Sequence, residues 1–167
     1  MLEDHAKLMT VFQCAGEIIG RKKLQKIIYI AKKLRLPFHE RYQFHFYGPY
    51  SEELTLRIEE LYNLGWVSEV KEKKGGYYQY RYKITEDGEK FLTHYKLDMP
   101  ELNGLIQTMN EQNSRFLELV STVLYFDDLS KEEVKEKVFT LKKKQNYSEE
   151  ELEEAYRYID TISKVLS

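Results

Sequence analysis

Apolar residues recur at helical spacing over most of this chain, which favours a mainly α-helical fold. The spacing runs from Leu2 to Ala15 and predicts helix one, which stops at Gly16. A second apolar stripe begins after Gly20 and predicts helix two, which Pro37 closes. Two helices are therefore expected before the pattern changes.

The pattern becomes alternating between Arg41 and Tyr47, where aromatic residues dominate. Such alternation is typical of a short, half-buried strand. Gly48 and Pro49 follow and are predicted to break the strand in a rigid turn. Ser51 then supplies the capping hydroxyl of helix three, whose apolar positions run to Gly65.

Two strand-like stretches, Trp66 to Glu72 and Tyr77 to Ile84, flank the sequence Lys73-Lys74-Gly75-Gly76. They predict a β-hairpin whose glycines supply positive φ angles in a four-residue turn. Thr85 is then expected to cap another helix. A helix ending in Leu-x-x-x-Gly, a hairpin and a closing Tyr-x-Ile-Thr-x-x-Gly step together resemble the second half of winged-helix regulators, so we call the hairpin the wing.

The sequence beyond Pro100 has a helical pattern throughout. Apolar residues from Leu102 to Leu124 make one long face, which the polar stretch Asn110 to Ser114 interrupts. Ser130 and Ser148 each open a capping box and predict two further helices. Two uses of the long face stay open: packing back on helices one and two, or joining two chains in a homodimer.

The predicted fold class is mainly α with a small β-hairpin or sheet. It comprises a winged helix-turn-helix-like domain over residues 1–98 and a C-terminal helical segment over residues 99–167, for packing or dimerisation. The composition suits a globular protein, because 42% of the residues are hydrophobic and the aromatic share of 14% is too high for a disordered chain.

Cysteine use and the N-terminal sequence bear on location. Cys14 is the only cysteine of the sequence, so an internal disulfide is excluded and a reducing compartment is favoured. Glu3 and Asp4 stand where a secretory signal would carry positive charge, and no apolar run reaches about 18 residues. We therefore expect a cytoplasmic protein without a membrane partner.

The formal net charge of −2 excludes a bulk attraction to nucleic acid, so any such binding requires a local basic patch. From Lys71 to Lys83 the wing carries five bases against Glu72, with tyrosines between them that can stack on nucleotide bases. Helix two carries seven bases and no acid. The alternatives that stay open are a solvated hairpin with cross-strand tyrosine pairs and a solvated helix face. The candidate contacts to double-stranded DNA are Lys71, Lys73, Lys74, Arg81, Lys83, Arg21, Lys22 and Lys26.

Helix three has the opposite charge, with four glutamates and Arg57 as its one base. A helix that enters a major groove should not be acidic, because phosphate contacts come from lysine and arginine. A protein partner is therefore the second hypothesis, and it draws on the turn before helix three. Its candidate residues are Gln25, Tyr29, Gly48, Pro49, Tyr50 and Glu53. In the alternative, the Gly-Pro step only sets the entry angle of helix three, and Gln25 and Tyr29 satisfy buried backbone groups.

No constellation of catalytic residues stands out in the sequence. The four histidines are scattered without metal-ligand spacing, and no phosphate-cradling glycine loop or nucleophile elbow occurs. Cys14 lies among apolar residues and is expected to pack in the core. We therefore expect no enzymatic activity, no cofactor and no metal.

The joined motifs Gly20-Arg-Lys-Lys-Leu-Gln-Lys-Ile-Ile-Tyr29 and Phe46-Tyr-Gly-Pro-Tyr-Ser-Glu-Glu-Leu54, followed by the wing, resemble the YwgA-like family of uncharacterised bacterial proteins over most of the chain. Gln25, Lys26 and Tyr29 also give a weaker resemblance to the Panacea-type antitoxin domain, which has a Leu-Gln-Lys-Leu-x-Tyr helix and a downstream Gly-Pro step. The second resemblance implies a protein-binding role. The C-terminal helices are not part of that second pattern.

The function expected first is a transcription-regulator-like, winged-helix module that binds nucleic acid. The alternative is a protein-interaction module of antitoxin or adaptor type. An unrecognised enzyme is a remote third alternative.

Overall fold

The computed structural model describes residues 2–95, 97 and 99–166, and these residues are mainly helical with a small amount of sheet. The helices are α1 (Leu2–Ala15), α2 (Arg21–Lys33), α3 (Glu52–Asn63), α4 (Glu86–Thr93), α5 (Leu102–Glu111), α6 (Ser114–Tyr125), α7 (Lys131–Leu141) and α8 (Glu149–Val165), with a 3-10 turn at Lys143–Gln145. The strands are β1 (Ile18–Ile19), β2 (Gln43–His45), β3 (Gly48–Tyr50), β4 (Val67–Lys74) and β5 (Tyr77–Ile84). The predicted fold class, mainly α with a small sheet, is confirmed.

The predicted helix starts are confirmed by their caps. The Ser51 hydroxyl accepts a hydrogen bond from the Leu54 amide at 3.1 Å, and Thr85 accepts one from Gly88 at 3.0 Å. Both capping boxes, at Ser130 and Ser148, are also formed. These contacts close within three residues, so a local sequence pattern is enough to specify them.

The wing strands β4 and β5 pair antiparallel, and β1 adds to β5, which gives the strand order β1-β5-β4. The turn consists of Gly75 and Gly76 alone, shorter than the four residues predicted, and Gly75 has a φ of +55°. Lys73 and Lys74 therefore belong to β4.

A second, two-stranded sheet corrects the prediction for the Gly-Pro step. Gly48 and Pro49 do not end the strand but form β3, which pairs with β2, and the turn is at Phe46 and Tyr47. Gly48 has a φ of +88°, which favours glycine. Pro49 has no amide hydrogen to donate, but its carbonyl accepts a hydrogen bond from the buried Lys26 ammonium. We call the segment Gln43 to Tyr50 the small hairpin.

Helix α2 lies at the centre of the fold, and every residue from Leu24 to Ala31 is buried. The predicted apolar stripe covered only part of this buried surface, because α6 and β3 also pack against α2. Helix α5 packs against α1. The apolar face from Leu102 to Leu124 is split by a break at Gln112 and Asn113 and is largely buried within the chain. Within the chain this face therefore packs on helices one and two, which is one of the two uses that the sequence left open.

The glycine of the Tyr-x-Ile-Thr-x-x-Gly step is required by close packing. A β-carbon on Gly88 would lie 2.3 Å from the carbonyl oxygen of Trp66. Thr85 fixes this approach, because its hydroxyl donates to the carbonyl of Gly65 at 2.6 Å and its amide donates to that of Trp66 at 3.0 Å. The motif thus joins the end of the wing to the turn before it.

Among the described residues, no helix is long and apolar enough to cross a lipid bilayer.

Candidate functional site

The five bases of the wing are divided between its two faces. Residues directly opposite each other in an antiparallel pair point to the same face. Lys71 lies opposite Tyr80 and Lys73 opposite Tyr78, so these two bases and two tyrosines share one face. The other three bases, Lys74, Arg81 and Lys83, occupy the opposite face, because side chains alternate along a strand.

The first face of the wing continues onto the start of α2. The guanidinium carbon of Arg21 lies 4.0 Å from the centre of the Tyr80 ring, and the Lys71 ammonium lies 6.0 Å from that ring and 4.2 Å from the Tyr78 ring. Tyr78 is 57% exposed. Lys73 extends the same exposed face toward the tip of the wing. We call Arg21, Lys71, Lys73, Tyr78 and Tyr80 the basic-aromatic strip. In this strip the start of α2 and one face of the wing form one continuous surface.

Two of the three bases on the opposite face are paired with acidic residues. Arg81 is bonded to Glu72 and donates to Glu17 at 2.6 Å, while Lys74 lies 3.5 Å from Glu72. The hydrogen bond from Arg81 holds the pKa of Glu72 below its usual value. Two acids therefore offset much of the positive charge on this face, and Lys83 remains exposed on it.

The basic residues of helix two do not form one solvated face. Lys22 is exposed, with its ammonium 3.4 Å from the centre of the Tyr47 ring. Lys23 donates to the carbonyl of Asn110, and Lys33 pairs with Asp127 at 3.1 Å. Of the helix-two residues predicted to contact DNA, Arg21 and Lys22 are on the surface.

Lys26 was predicted to contact DNA, and the structure corrects this prediction because the side chain is only 1% exposed. Its ammonium donates to the carbonyl of Pro49 at 2.9 Å. Burial lowers the pKa of Lys26 to about 8, and nearby Glu118 opposes part of this shift. A lysine in this position holds the small hairpin on α2 and does not reach a phosphate group.

A second buried lysine holds the same hairpin from the other side. Lys142 is 1% exposed, and its ammonium donates to the carbonyl of Phe46 at 2.7 Å. It lies 3.4 Å from the carboxylate of Glu118, which also accepts a hydrogen bond from Gln145 at 2.9 Å. Sequence reasoning missed this cluster of Lys26, Lys142 and Glu118. One signal was available, since Glu118 interrupts an otherwise apolar run in α6.

Four of the six residues predicted to bind a partner lie inside the protein, namely Gln25, Tyr29, Gly48 and Pro49. The Gln25 amide donates to the Ser51 carbonyl at 2.9 Å and accepts from the Ser51 amide at 2.8 Å. The Tyr29 ring packs on the edge of Tyr42 at 4.9 Å. The structure therefore has the alternative in which Gln25 bonds buried backbone groups, here those of Ser51.

The remaining two predicted partner residues, Tyr50 and Glu53, are half-buried and have internal contacts. The Tyr50 hydroxyl lies 3.0 Å from that of Thr55, and Glu53 accepts hydrogen bonds from the amide and side chain of Arg41 at 2.7 and 3.1 Å. The hydrogen bond from the Arg41 amide lowers the pKa of Glu53.

The outer face of α3 combines acids with an exposed apolar residue. Leu56 is 59% exposed, and Glu59 and Glu60 are exposed near it. Arg57, the one base of this helix, points away from that face to Asp4 and Glu40. The exposed charge of α3 is therefore more negative than its sequence total suggests.

A pocket of about 390 Å³ lies between α2, α3 and the wing. It brings together residues that the sequence assigned to two different sites, Arg21 and Lys22 from the nucleic-acid set and Gln25 and Tyr50 from the partner set. Within the described parts of the chain, no three histidine, cysteine, aspartate or glutamate side chains are grouped to hold a metal ion.

Comparison with known proteins identifies a relative over nearly the whole chain, although no protein-family model matches. The chain is 66% identical over 165 residues to the "Uncharacterized protein YwgA" of Bacillus subtilis (strain 168), and the match covers 99% of each chain. Identity at this level over the full length, together with the two motifs of α2 and the small hairpin, shows that the chain belongs to the YwgA-like family of bacterial proteins.

Proposed function

We propose that this protein is a non-enzymatic winged-helix protein that binds double-stranded DNA through the basic-aromatic strip. The observation that carries the proposal is the position of Arg21 and Lys71 beside the same ring, that of Tyr80, with distances of 4.0 and 6.0 Å to its centre, next to the exposed Tyr78. Arginine and lysine supply phosphate contacts, while the tyrosines add surface for packing against sugar or base.

The winged-helix part of the proposal is supported by element order. Helix α1, strand β1, helices α2 and α3 and then the hairpin β4-β5 follow one another, and β1 pairs with β5. Winged-helix domains have this order, with the first strand beside the last. The small hairpin is an insertion between α2 and α3 relative to that order.

The charge distribution favours contact through the wing and the start of α2. Helix α3, which reads the major groove in most helix-turn-helix proteins, exposes glutamates and would repel phosphate. The strip together with Lys22 presents four basic side chains: Arg21, Lys22, Lys71 and Lys73.

Salt dependence of duplex binding tests the proposal. Four phosphate contacts give a slope of log K against log salt concentration no steeper than about −3.6, since each contact contributes about −0.9. Fluorescence anisotropy of a labelled duplex over a series of salt concentrations measures this slope. Absence of binding at low salt would overturn the proposal.

A protein partner is the second candidate function, and the outer face of α3 favours it. An apolar Leu56 among glutamates suits a partner segment with apolar and basic residues. Leu56→Lys and Glu59→Lys should both abolish co-purification of a partner that wild type retains, while Glu154→Lys on α8 should not. Recovery of the same partner with both α3 variants would exclude this face.

A further inference from the structure

The pocket between α2, α3 and the wing is lined by charges of both signs. Arg21 and Lys22 come from the first turn of α2, whereas Glu59 comes from α3 and Glu69 from β4. We call this the mixed-charge pocket. Its volume of about 390 Å³ lies within the range of small-molecule sites.

These opposite charges do not pair across the pocket. Among the residues that the structure describes, Arg21, Lys22, Glu59 and Glu69 have no ion-pair partner within 4.0 Å, whereas other arginines of the chain, such as Arg81, are paired. The Glu69 carboxylate does accept a hydrogen bond from the Tyr82 hydroxyl at 2.8 Å, which fixes its position on the wall. The cavity is thus lined by charges of both signs that have no ion-pair partner and that a ligand carrying both charges would contact.

The floor of the mixed-charge pocket is apolar, because Leu24, Leu54 and Ile58 line it with buried side chains. The polar groups beside the floor already have partners in the protein. Gln25 is bonded at both ends to Ser51. A ligand therefore meets an apolar surface below and unpaired charges of both signs at the sides.

We propose that the mixed-charge pocket binds a small zwitterion with an apolar body, which is the chemistry of an apolar amino acid or a short apolar peptide. The carboxylate of the ligand lies toward Arg21 and Lys22, its ammonium toward Glu59 and Glu69, and its side chain on the floor. Charge-assisted hydrogen bonds to both ends give this site its selectivity. The proposal does not depend on DNA binding, although Arg21 is shared with the strip.

Titration calorimetry with four matched probes tests the proposal on the full chain. L-leucine and the dipeptide Leu-Leu are zwitterions of different length and so distinguish the two sources of ligand. N-acetyl-L-leucine keeps only the carboxylate and L-leucine amide only the ammonium. At least one zwitterion should bind, and about tenfold or more tightly than either single-charge analogue, because each lost charge-assisted contact weakens binding by about that factor.

The variants Glu59→Gln and Glu69→Gln keep the size of the side chain and remove the charge, and each should weaken zwitterion binding about tenfold. The control Glu154→Gln removes an equal charge from the exposed surface of α8 and should bind like wild type. Equal binding of zwitterions and single-charge analogues, unchanged binding by both pocket variants, or no binding of either zwitterion at millimolar concentration would overturn the proposal. None of these variants changes the basic-aromatic strip, so this failure is distinct from a failure of DNA binding.

Discussion

The burial of Lys26 has a consequence for stability that a surface lysine would not have. Its pKa is about 8 in the folded protein, against 10.5 for an ordinary lysine. The folded state therefore releases this proton at lower pH than the unfolded state does. Between these two values the unfolded chain binds more protons at Lys26, so the free energy of unfolding rises with pH.

The size of this effect follows from the two pKa values of Lys26. Near pH 7 the lysine is charged in both states, and holding the charged form in the fold costs about 3 kcal/mol relative to an unshifted lysine. Near pH 9.5 the folded amine is mostly neutral, and the cost falls to about 1 kcal/mol. The free energy of unfolding should therefore gain about 2 kcal/mol from Lys26 alone over this interval.

The variant Lys26→Met isolates this contribution, because methionine fills a similar volume without titrating. Urea denaturation of wild type and variant, each near pH 7 and near pH 9.5, gives the difference in the free energy of unfolding at both pH values. That difference, wild type minus variant, should increase by about 2 kcal/mol at the higher pH. The control Lys137→Met changes an exposed lysine of α7 and should track wild type. A difference that is constant or falls with pH would refute the burial of a charged Lys26.

Three further variants test the packing that positions the site. Gln25→Leu leaves the buried amide of Ser51 without a partner, although the Ser51 carbonyl keeps its hydrogen bonds from Thr55, and should cost about 1–3 kcal/mol in urea denaturation; a cost below about 0.5 kcal/mol would speak against the role of Gln25 in holding Ser51. Glu118→Gln leaves two buried ammonium groups without their carboxylate and should cost about 3–5 kcal/mol, so a melting temperature equal to wild type would contradict the cluster. Gly88→Ala forces a β-carbon against the Trp66 carbonyl and should destabilise by about 1–3 kcal/mol, which thermal melting would show as a lower midpoint; an unchanged midpoint would exclude the close contact.

Local signals in the sequence predicted most of the helices and the wing. Ser51, Thr85, Ser130 and Ser148 each bond to a group three residues ahead, so the partner of each cap is visible in the sequence itself. The alternating apolar and polar pattern of the wing strands is likewise visible in a short stretch of sequence. Elements specified by neighbours along the chain were therefore found at nearly the right residues.

The charged residues were harder to place because their partners are distant in sequence. Lys26 stands in a basic run, but α6 and the small hairpin cover its side of α2. Arg81 belongs to the basic sequence of the wing, yet Glu17, which is 64 residues away, accepts its hydrogen bond. Counting charges along the chain cannot distinguish the two faces of the wing, whereas the strand register separates them at once.

The small hairpin shows a similar limit for turns. Gly48-Pro49 is a strong local turn signal, but the structure turns at Phe46 and Tyr47 instead. The buried ammonium groups of Lys26 and Lys142 bind the carbonyls of Pro49 and Phe46 and so fix where the chain reverses. Both lysines lie outside the window in which a turn is normally predicted.

A matched pair of wing variants tests most directly whether the basic-aromatic strip binds DNA. Lys71 and Lys83 are exposed lysines of the same hairpin on opposite faces. In duplex titrations over a range of salt concentrations, Lys71→Gln should weaken binding and reduce the magnitude of the salt slope by about 0.9, the contribution of one phosphate contact, while Lys83→Gln should leave both unchanged. An equal effect of the two variants, or an effect of Lys83→Gln alone, would contradict the assignment of DNA binding to the strip.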